Sequence, residues 1–555
     1  MLGERFPKRY LVLLSVAGVL LLATMLCYPL EYDIATFMAG GELVMKGGMP
    51  FRDFIDVKPP LIFYIYGLAS WIFGHHEWSI RAFDLFYHIA SLSYLFYLLR
   101  RSGVRDLVSV LAIGLIILHN IGVGPAYSAQ VESFAMLPSL FLLDCTLRLG
   151  EEGRSLKKQM LLSLGVAAAT VTLVLLKYTL GLLLLPTILC LLFTKRSVRE
   201  VLLQVSVIGF GVLTLLGCYV LFLYSNDLLE QFVQAVRWSM QYGKLGDKGE
   251  SSSLIQGLYH SLPIELVRSL TITVSVFLIA GAYKLLTTSK EKQYWFVPEA
   301  KRGILVLLAM QSVAGLITVA IEKKFFDYHY TRATWQLTPI AAIGLIEIVS
   351  LLNVYWKQEN TNRSINWMLQ RLVVLAAAVT LMFYSPLIPL MNQSARWIYA
   401  RVKDDPDYRL EVRPLELPRK EYSGIHAELQ KLSKPGDKIF FWGTHAYMYY
   451  ELNITPLAQS LLNVPFTASF TPVEWKNELA RTVQAKQPKF ILVEKRDTEI
   501  TTFVNRNDPR DSYQLLQDQP RLWQEIQSNY SLAAESDRFN LYQRMEANRP
   551  IAYQK

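Results

Sequence analysis

Three aspartates and Lys58 follow the first long apolar run of the chain, in EYDIATFMAGGELVMKGGMPFRDFIDVKPPLIFYIYG, Glu31 to Gly67. Asp33 comes within three residues of the end of that run. Burial against neighbouring elements there would hold its carboxylate in fixed geometry and could tune it for proton abstraction. Asp53, Asp56 and Lys58 follow at short spacing, so a cluster with Asp33 is possible. The plainer reading is that charges beside a membrane span are solvated, and for Asp53 that is the better account.

The elements that must position these groups follow from composition. Of 555 residues, 52% are hydrophobic and 18% charged, and mean hydropathy is +0.25. That balance is too apolar for a soluble chain of this length. Up to about Leu390 the sequence is a series of runs near the ~20 residues that cross a hydrocarbon core. They predict about eleven spans, near 11–30, 80–99, 104–121, 131–148, 159–176, 178–194, 201–224, 264–284, 303–321, 333–353 and 372–391.

The formal net charge of +10 does not point to nucleic acid, because the basic residues are not gathered into a patch interleaved with aromatics. They sit in every second gap between spans, as with Arg5, Lys8 and Arg9, then Arg100, Arg101 and Arg105, and later Lys195, Arg196 and Arg199. The positive-inside rule then predicts a cytoplasmic N-terminus, an extracytoplasmic first loop and, after an odd number of crossings, an extracytoplasmic C-terminal segment. The expected location is the inner (plasma) membrane. The first run is longer than a signal-peptide core and lacks a small-residue cleavage site before Glu31. All four cysteines, Cys27, Cys145, Cys190 and Cys218, fall in or beside spans, which implies neither a disulfide framework nor a cysteine metal site.

The expected organisation is a membrane domain over 1–391, whose first outer loop 31–79 carries the site, and an extracytoplasmic α/β domain over 392–555. Within the loop, KPPLIFYIYGLASWIFG is short, headed by Pro59 and Pro60 and interrupted by Gly67, and reads as an interfacial helix rather than a crossing. ATFMAGGELVMKGG reads as a second one, ended by Gly47 and Gly48. In the C-terminal part KPGDKIFFWG predicts a strand, HAYMYYELN a helix, PKFILVEK a second strand and RFNLYQRM a late one. No Gly-rich phosphate loop is present there, and the domain is expected to cap or support the membrane part or to help shape an acceptor site.

The sequence resembles the GT-C glycosyltransferases that take sugar from a polyprenyl phosphate, especially the bacterial protein mannosyltransferase-like (family 39-like) and aminoarabinose transferase-like branch. The residues that carry the likeness are Asp33 in EYDIATF, the pattern GGMPFRDFIDVKPPLIFYIYG, an FG…R step over Ile72 to Arg81, the stretch KKFFDYHYTRATWQLTPIAA (Lys323 to Ala342), and IHAELQKLSKPGDKIFFWG in the tail. Many members carry Asp-Glu at the first site. Here Ile34 follows Asp33 and Glu31 lies two residues before it, so Glu31 remains an alternative.

The resemblance implies inverting transfer to an acceptor hydroxyl on the extracytoplasmic face, with Asp33 accepting the hydroxyl proton. The leaving phosphate needs positive charge rather than an acid, and Lys58 is the leading candidate, with simple snorkelling as its alternative. Arg332, in YTRATW, is a second phosphate candidate or an interface anchor. Glu132, in GPAYSAQVESFAMLPSL at the outer end of a span, would orient an acceptor or hold a divalent cation. Asp53, Asp56, Lys177, Tyr328, His329 and Tyr330 are further candidates for substrate contact, although an aromatic belt accounts for most of Tyr328 to Tyr330.

The implied partners are a polyprenyl-phosphate-linked sugar, a glycan, lipid or protein acceptor of the cell envelope, and membrane lipids. No cofactor is required by the sequence beyond a possible divalent cation. A transporter would place its ionisable residues near the midplane and show internal symmetry, which the sequence lacks. A polysaccharide ligase or polymerase is a nearer alternative, but would be expected to keep its reactive residues in a large late loop.

Overall fold

The computed structural model describes residues 7–244 apart from 152 and 194–196, residues 277–285 apart from 284, residues 302–357, parts of 395–403, and residues 419–545 apart from 435, 453, 458–460 and 499–508. The predicted spans near 264–284 and 372–391 lie largely or wholly outside the described residues.

In chain order the principal helices are α1 (Lys8–Ala23), α2 (Tyr32–Met45), α3 (Leu61–Phe73), α4 (Glu77–Arg101), α5 (Asp106–Val123), α6 (Val131–Gly150), α7 (Leu156–Leu176), α8 (Leu185–Phe193), α9 (Val198–Ser225), α10 (Leu229–Lys244), α11 (Arg302–Glu322), α12 (Thr338–Lys357), α13 (Arg419–Leu432), α14 (Val473–Lys486), α15 (Ser512–Gln517) and α16 (Pro520–Asn529). The strands are β1 (Ile439–Trp442), β2 (Phe490–Glu494), β3 (Tyr530–Glu535) and β4 (Phe539–Arg544). Among the described residues eight helices, built on α1, α4, α5, α6, α7, α9, α11 and α12, are long and apolar enough to cross a membrane. The chain is a polytopic helical membrane protein. The run predicted as a span over 178–194 is a shorter apolar helix, a 3-10 stretch over Tyr178–Leu184 that continues into α8.

Compact packing groups the chain into two units, each assembled from separated segments. The first comprises Met1–Tyr28, Glu77–Leu221 and Ser252–Tyr399. The second comprises Pro29–His76, Phe222–Ser251 and Ala400–Lys555, so the first loop, α10 and the C-terminal sheet share one unit.

In the first unit, long helices bury charged groups against one another. α4 contributes Arg81, Asp84 and His88, all fully buried, on one face of the helix. Unpaired charges there would be costly, so each must find a partner within the protein.

In the second unit, a four-stranded sheet has the order β1-β2-β4-β3. β1, at one edge of the sheet, pairs in parallel with β2, with Ile439 opposite Phe490 and Trp442 opposite Val493, and both strands are buried along their whole length. Continuous apolar runs such as IFFW and FILV are what a strand covered on both faces requires. β4 pairs antiparallel with β2 and with β3. β3, YSLAAE, is a largely exposed edge strand that the sequence reading did not anticipate.

The first loop folds as the two expected helices. α2 ends in a Schellman arrangement, with Gly48 N–H donating to the Leu43 carbonyl at 2.8 Å, Gly47 N–H donating to the Val44 carbonyl at 3.0 Å, and Gly47 at φ +85°. That left-handed position favours glycine. Gly67, read as an interruption of α3, serves a close helix crossing instead. A Cβ on Gly41 would lie 2.8 Å from the Gly67 nitrogen, and one on Gly67 would lie 3.1 Å from the Gly41 carbonyl oxygen. Contacts distant in sequence join the three segments. The Lys46 ammonium reaches Thr455 Oγ1 at 2.6 Å, Trp238 Nε1 donates to Thr471 Oγ1 at 3.0 Å, and Trp475 Nε1 donates to Gln234 Oε1 at 2.5 Å.

Candidate active site

Two groups of charged residues stand out, one in each unit. In the second unit, Asp33 lies in the first turn of α2, where the helix dipole favours a carboxylate. Its Oδ1 accepts from the Lys58 ammonium at 3.1 Å, and the two side chains are 20% and 19% exposed. The Lys58 backbone N–H donates to Asp56 Oδ1 at 2.9 Å. The Lys58 ammonium also stands 4.7 Å from the centre of the Phe37 ring, one turn along α2 from Asp33.

Burial pulls the Lys58 pKa down, but Asp33 and Asp56 outweigh it and hold the ammonium well above the ordinary lysine value. Lys58 is therefore a permanent cation. Burial pushes Asp56 above the usual carboxylate range in spite of Lys58. Burial, then Asp33, also raises the Tyr32 phenol, which stays neutral. Asp33, Asp56 and Lys58 are thus brought together. Asp53 is engaged otherwise: its Oδ2 accepts the Met49 N–H at 2.7 Å and pairs with Arg52 at 2.7 Å, which fixes the turn before Phe54. Glu31 is the N-cap residue of α2, and its carbonyl accepts the Ala35 N–H at 2.7 Å.

The other group lies in the first unit. Arg332, whose side chain is 1% exposed, meets Glu322 through Nη1 to Oε1 at 2.5 Å and Nη2 to Oε2 at 3.0 Å. Its Nη2 also donates to Glu132 Oε1, and Glu132 is likewise 1% exposed. Lys177 Nζ sits 2.9 Å from Glu132 Oε1 and 2.9 Å from Glu322 Oε2. His329 Nδ1 is bonded to the Lys324 carbonyl, so it carries the proton, and Nε2 faces Lys177 Nζ at 3.3 Å as the acceptor. Arg332 and Lys177 balance Glu132 and Glu322 with the imidazole neutral, which is how a buried set of charges avoids a net penalty.

Tyr330 is a core residue packed with Val319 and Phe325. Tyr328 lies parallel to Phe326, with ring centres 5.9 Å apart, and edge-on to His329 at 4.5 Å. Sequence reasoning missed Glu322, the last residue of an apolar helix, although the signal was the same one that marked Asp33. It also missed the support under Glu132. Asp84 Oδ2 accepts from Ala129 N–H at 2.7 Å and from Ser128 Oγ at 3.0 Å, and Oδ1 accepts from Ser133 Oγ. Arg81 donates to the Ser128 carbonyl at 2.5 Å. α4 therefore fixes the turn that starts α6 and aims Glu132. Ionisable residues inside a predicted span, as in RAFDLFYH, were the available signal.

Asp33, Glu132 and Glu322 are paired with cationic side chains, and among the described residues no three His, Cys, Asp or Glu side chains stand together as a metal site. The arrangement thus offers a carboxylate beside a fixed cation in the second unit and a neutralised, rigid polar cluster in the first.

Residues 57–221 match the family described as dolichyl-phosphate-mannose-protein mannosyltransferase. No curated protein matches the sequence. The fold is similar to that of ArnT from Cupriavidus metallidurans in the apo state, with TM-score 0.54 and 11% identity over 96% of this chain and 98% of that one. It is also similar to the same protein bound to undecaprenyl phosphate, with TM-score 0.53 and 11% identity over 97% and 98%. The fold is thus similar to that of ArnT across nearly the whole chain, and the family match covers one segment of it.

Proposed function

We propose that this protein moves a sugar from a polyprenyl-phosphate donor to an acceptor hydroxyl on the extracytoplasmic face of the plasma membrane, with inversion at the anomeric carbon. The observation that carries the reading is the contact of Asp33 with Lys58 at 3.1 Å. It sets a proton acceptor on α2 beside a cation on the segment leading into α3. The matched family and the undecaprenyl phosphate held by ArnT support a lipid-phosphate donor.

The donor phosphate takes over from Asp33 as partner of the Lys58 ammonium, which releases the carboxylate toward the acceptor. The acceptor oxygen bonds to the anomeric carbon while its proton passes to Asp33, and the carbon–oxygen bond to phosphate breaks with its electron pair leaving on the phosphate oxygen. The Lys58 charge is worth more in that transition state than in the ground state, because the phosphate gains negative charge as the bond opens. The C-terminal domain, with the first loop, lies outside the membrane and the N-terminus inside.

The test is purified protein in nanodiscs with a panel of polyprenyl-phosphate sugars and envelope extracts as acceptor, following release of polyprenyl phosphate. Release that depends on an acceptor supports the reading. Transfer from nucleotide sugars alone would overturn it.

A further inference from the structure

Helix α10 packs along the segment that carries Lys58. Ser239 Oγ donates to the Val57 carbonyl at 3.2 Å, and the Phe232 ring meets Phe51 edge-on at 5.3 Å. Tyr242 lies three residues beyond Ser239 and so on the same face of α10, one turn further on. Its ring lies nearly parallel to Trp238, with centres 5.5 Å apart and 14° between planes. Trp238 is buried and pinned by its bond to Thr471 and by the Phe470 ring at 5.2 Å. A phenol stacked on an immobile indole has its hydroxyl held in one place at little further entropic cost.

From this geometry we infer that the Tyr242 hydroxyl is a second hydrogen-bond donor to the phosphate group received by Lys58. The inference rests on the proposed role of Lys58. Lys58 and Tyr32 both lie within electrostatic reach of the Tyr242 oxygen, which fits a position on the ammonium's side of α10. A phenol holds its proton at neutral pH and can donate to a phosphate oxygen. Lys58 supplies a point charge with freely turning donors, whereas the stacked phenol supplies one direction. The two together orient the phosphate rather than merely attract it.

The experiment compares parent, Tyr242→Phe, Tyr242→Ala and Lys58→Ala in nanodiscs, with undecaprenyl phosphate and undecaprenol as the two probes. Tyr242→Phe keeps the ring stack and removes the hydroxyl alone. It should bind undecaprenyl phosphate about tenfold more weakly, as for loss of one hydrogen bond to a charged group, and bind undecaprenol like the parent. Tyr242→Ala, which also loses the stack, should weaken phosphate binding at least as far. A merely structural role would move both probes together and overturn the inference. Equal phosphate affinity for parent and Tyr242→Phe, with Lys58→Ala impaired, overturns the inference and leaves the role of Lys58 standing. A parent that does not distinguish undecaprenyl phosphate from undecaprenol overturns both.

Discussion

The Arg332 guanidinium grips Glu322 with both of its terminal nitrogens, at 2.5 and 3.0 Å, and so ties the end of α11 to the turn before α12. Lysine cannot reproduce that planar fork. Arg332→Ala would leave Glu322 and Glu132 to share the single Lys177 cation, so that one buried carboxylate loses its counter-charge, a loss of about 3–5 kcal/mol. We expect a marked drop in thermal unfolding temperature in detergent for Arg332→Ala and an intermediate one for Arg332→Lys. An unchanged unfolding temperature for Arg332→Ala would show that the cluster is not structural.

Asp33→Asn keeps the shape of the side chain and one acceptor oxygen for Lys58 but is a far weaker base. Turnover should fall by at least about 10²-fold, the scale of a lost general base, while undecaprenyl phosphate still binds. Measured in the transfer assay at saturating donor, near-normal turnover would move the role to Glu31 or Glu132.

How much could be read from the sequence depended on how local each signal was. Span-length apolar runs gave the membrane character, and IFFW and FILV gave the parallel strands β1 and β2, because each is a property of one short segment. Gly47 and Gly48 ended α2 as read, since a left-handed cap is chosen by the residue itself. β3 escaped because YSLAAE is an exposed edge without apolar alternation. α10 escaped for another reason: it lies between spans, and its partners Val57 and Thr471 are far away in sequence. The interleaving of the first loop, α10 and the C-terminal sheet in one unit is likewise invisible to a reading that divides the chain by position. In the first unit, spacing could nominate Glu132, Lys177, His329 and Arg332 one at a time, but only folding shows that Glu322 joins them.

Asp497 makes the stability of the C-terminal domain depend on pH in the mildly acid range. Burial, then the neighbouring Glu494 carboxylate, pushes its pKa up to about 6, against the bonds it accepts from Ser512 and Thr444. Between its unfolded value near ~4 and about 6 the folded protein binds the extra proton. Stability therefore falls as pH rises through that window, by at most about 1.4 kcal/mol per pH unit, and levels off above it. Asp497→Asn should flatten this part of the profile of the full-length protein, followed by intrinsic fluorescence on heating. A slope identical to that of the parent would assign the dependence elsewhere.

The proposed orientation predicts that the exposed strand β3 faces the outside. A cysteine introduced by Ser531→Cys should react in intact cells with a reagent that does not cross the membrane. The native cysteines lie in or beside spans and serve as the background. Labelling only after permeabilisation would invert the topology and with it the side of the membrane on which transfer occurs.

Substitution at Lys58 separates stabilisation of the leaving phosphate from anchoring at the membrane surface. If the ammonium meets the phosphate, Lys58→Ala removes a charge-assisted contact that strengthens in the transition state, so turnover falls together with donor affinity. It also leaves Asp33 without the cation seen at 3.1 Å, an effect that would alter the pH profile of turnover rather than its donor dependence. Lys58→Arg should keep part of the rate, because the charge survives although a planar fork replaces a compact point charge. If Lys58 only reaches toward headgroups, both variants should work like the parent, since another interfacial residue can take its place at little cost. The measurement is transfer in nanodiscs at limiting and saturating donor. Equal rates for parent and Lys58→Ala under both conditions would remove Lys58 from the phosphate site.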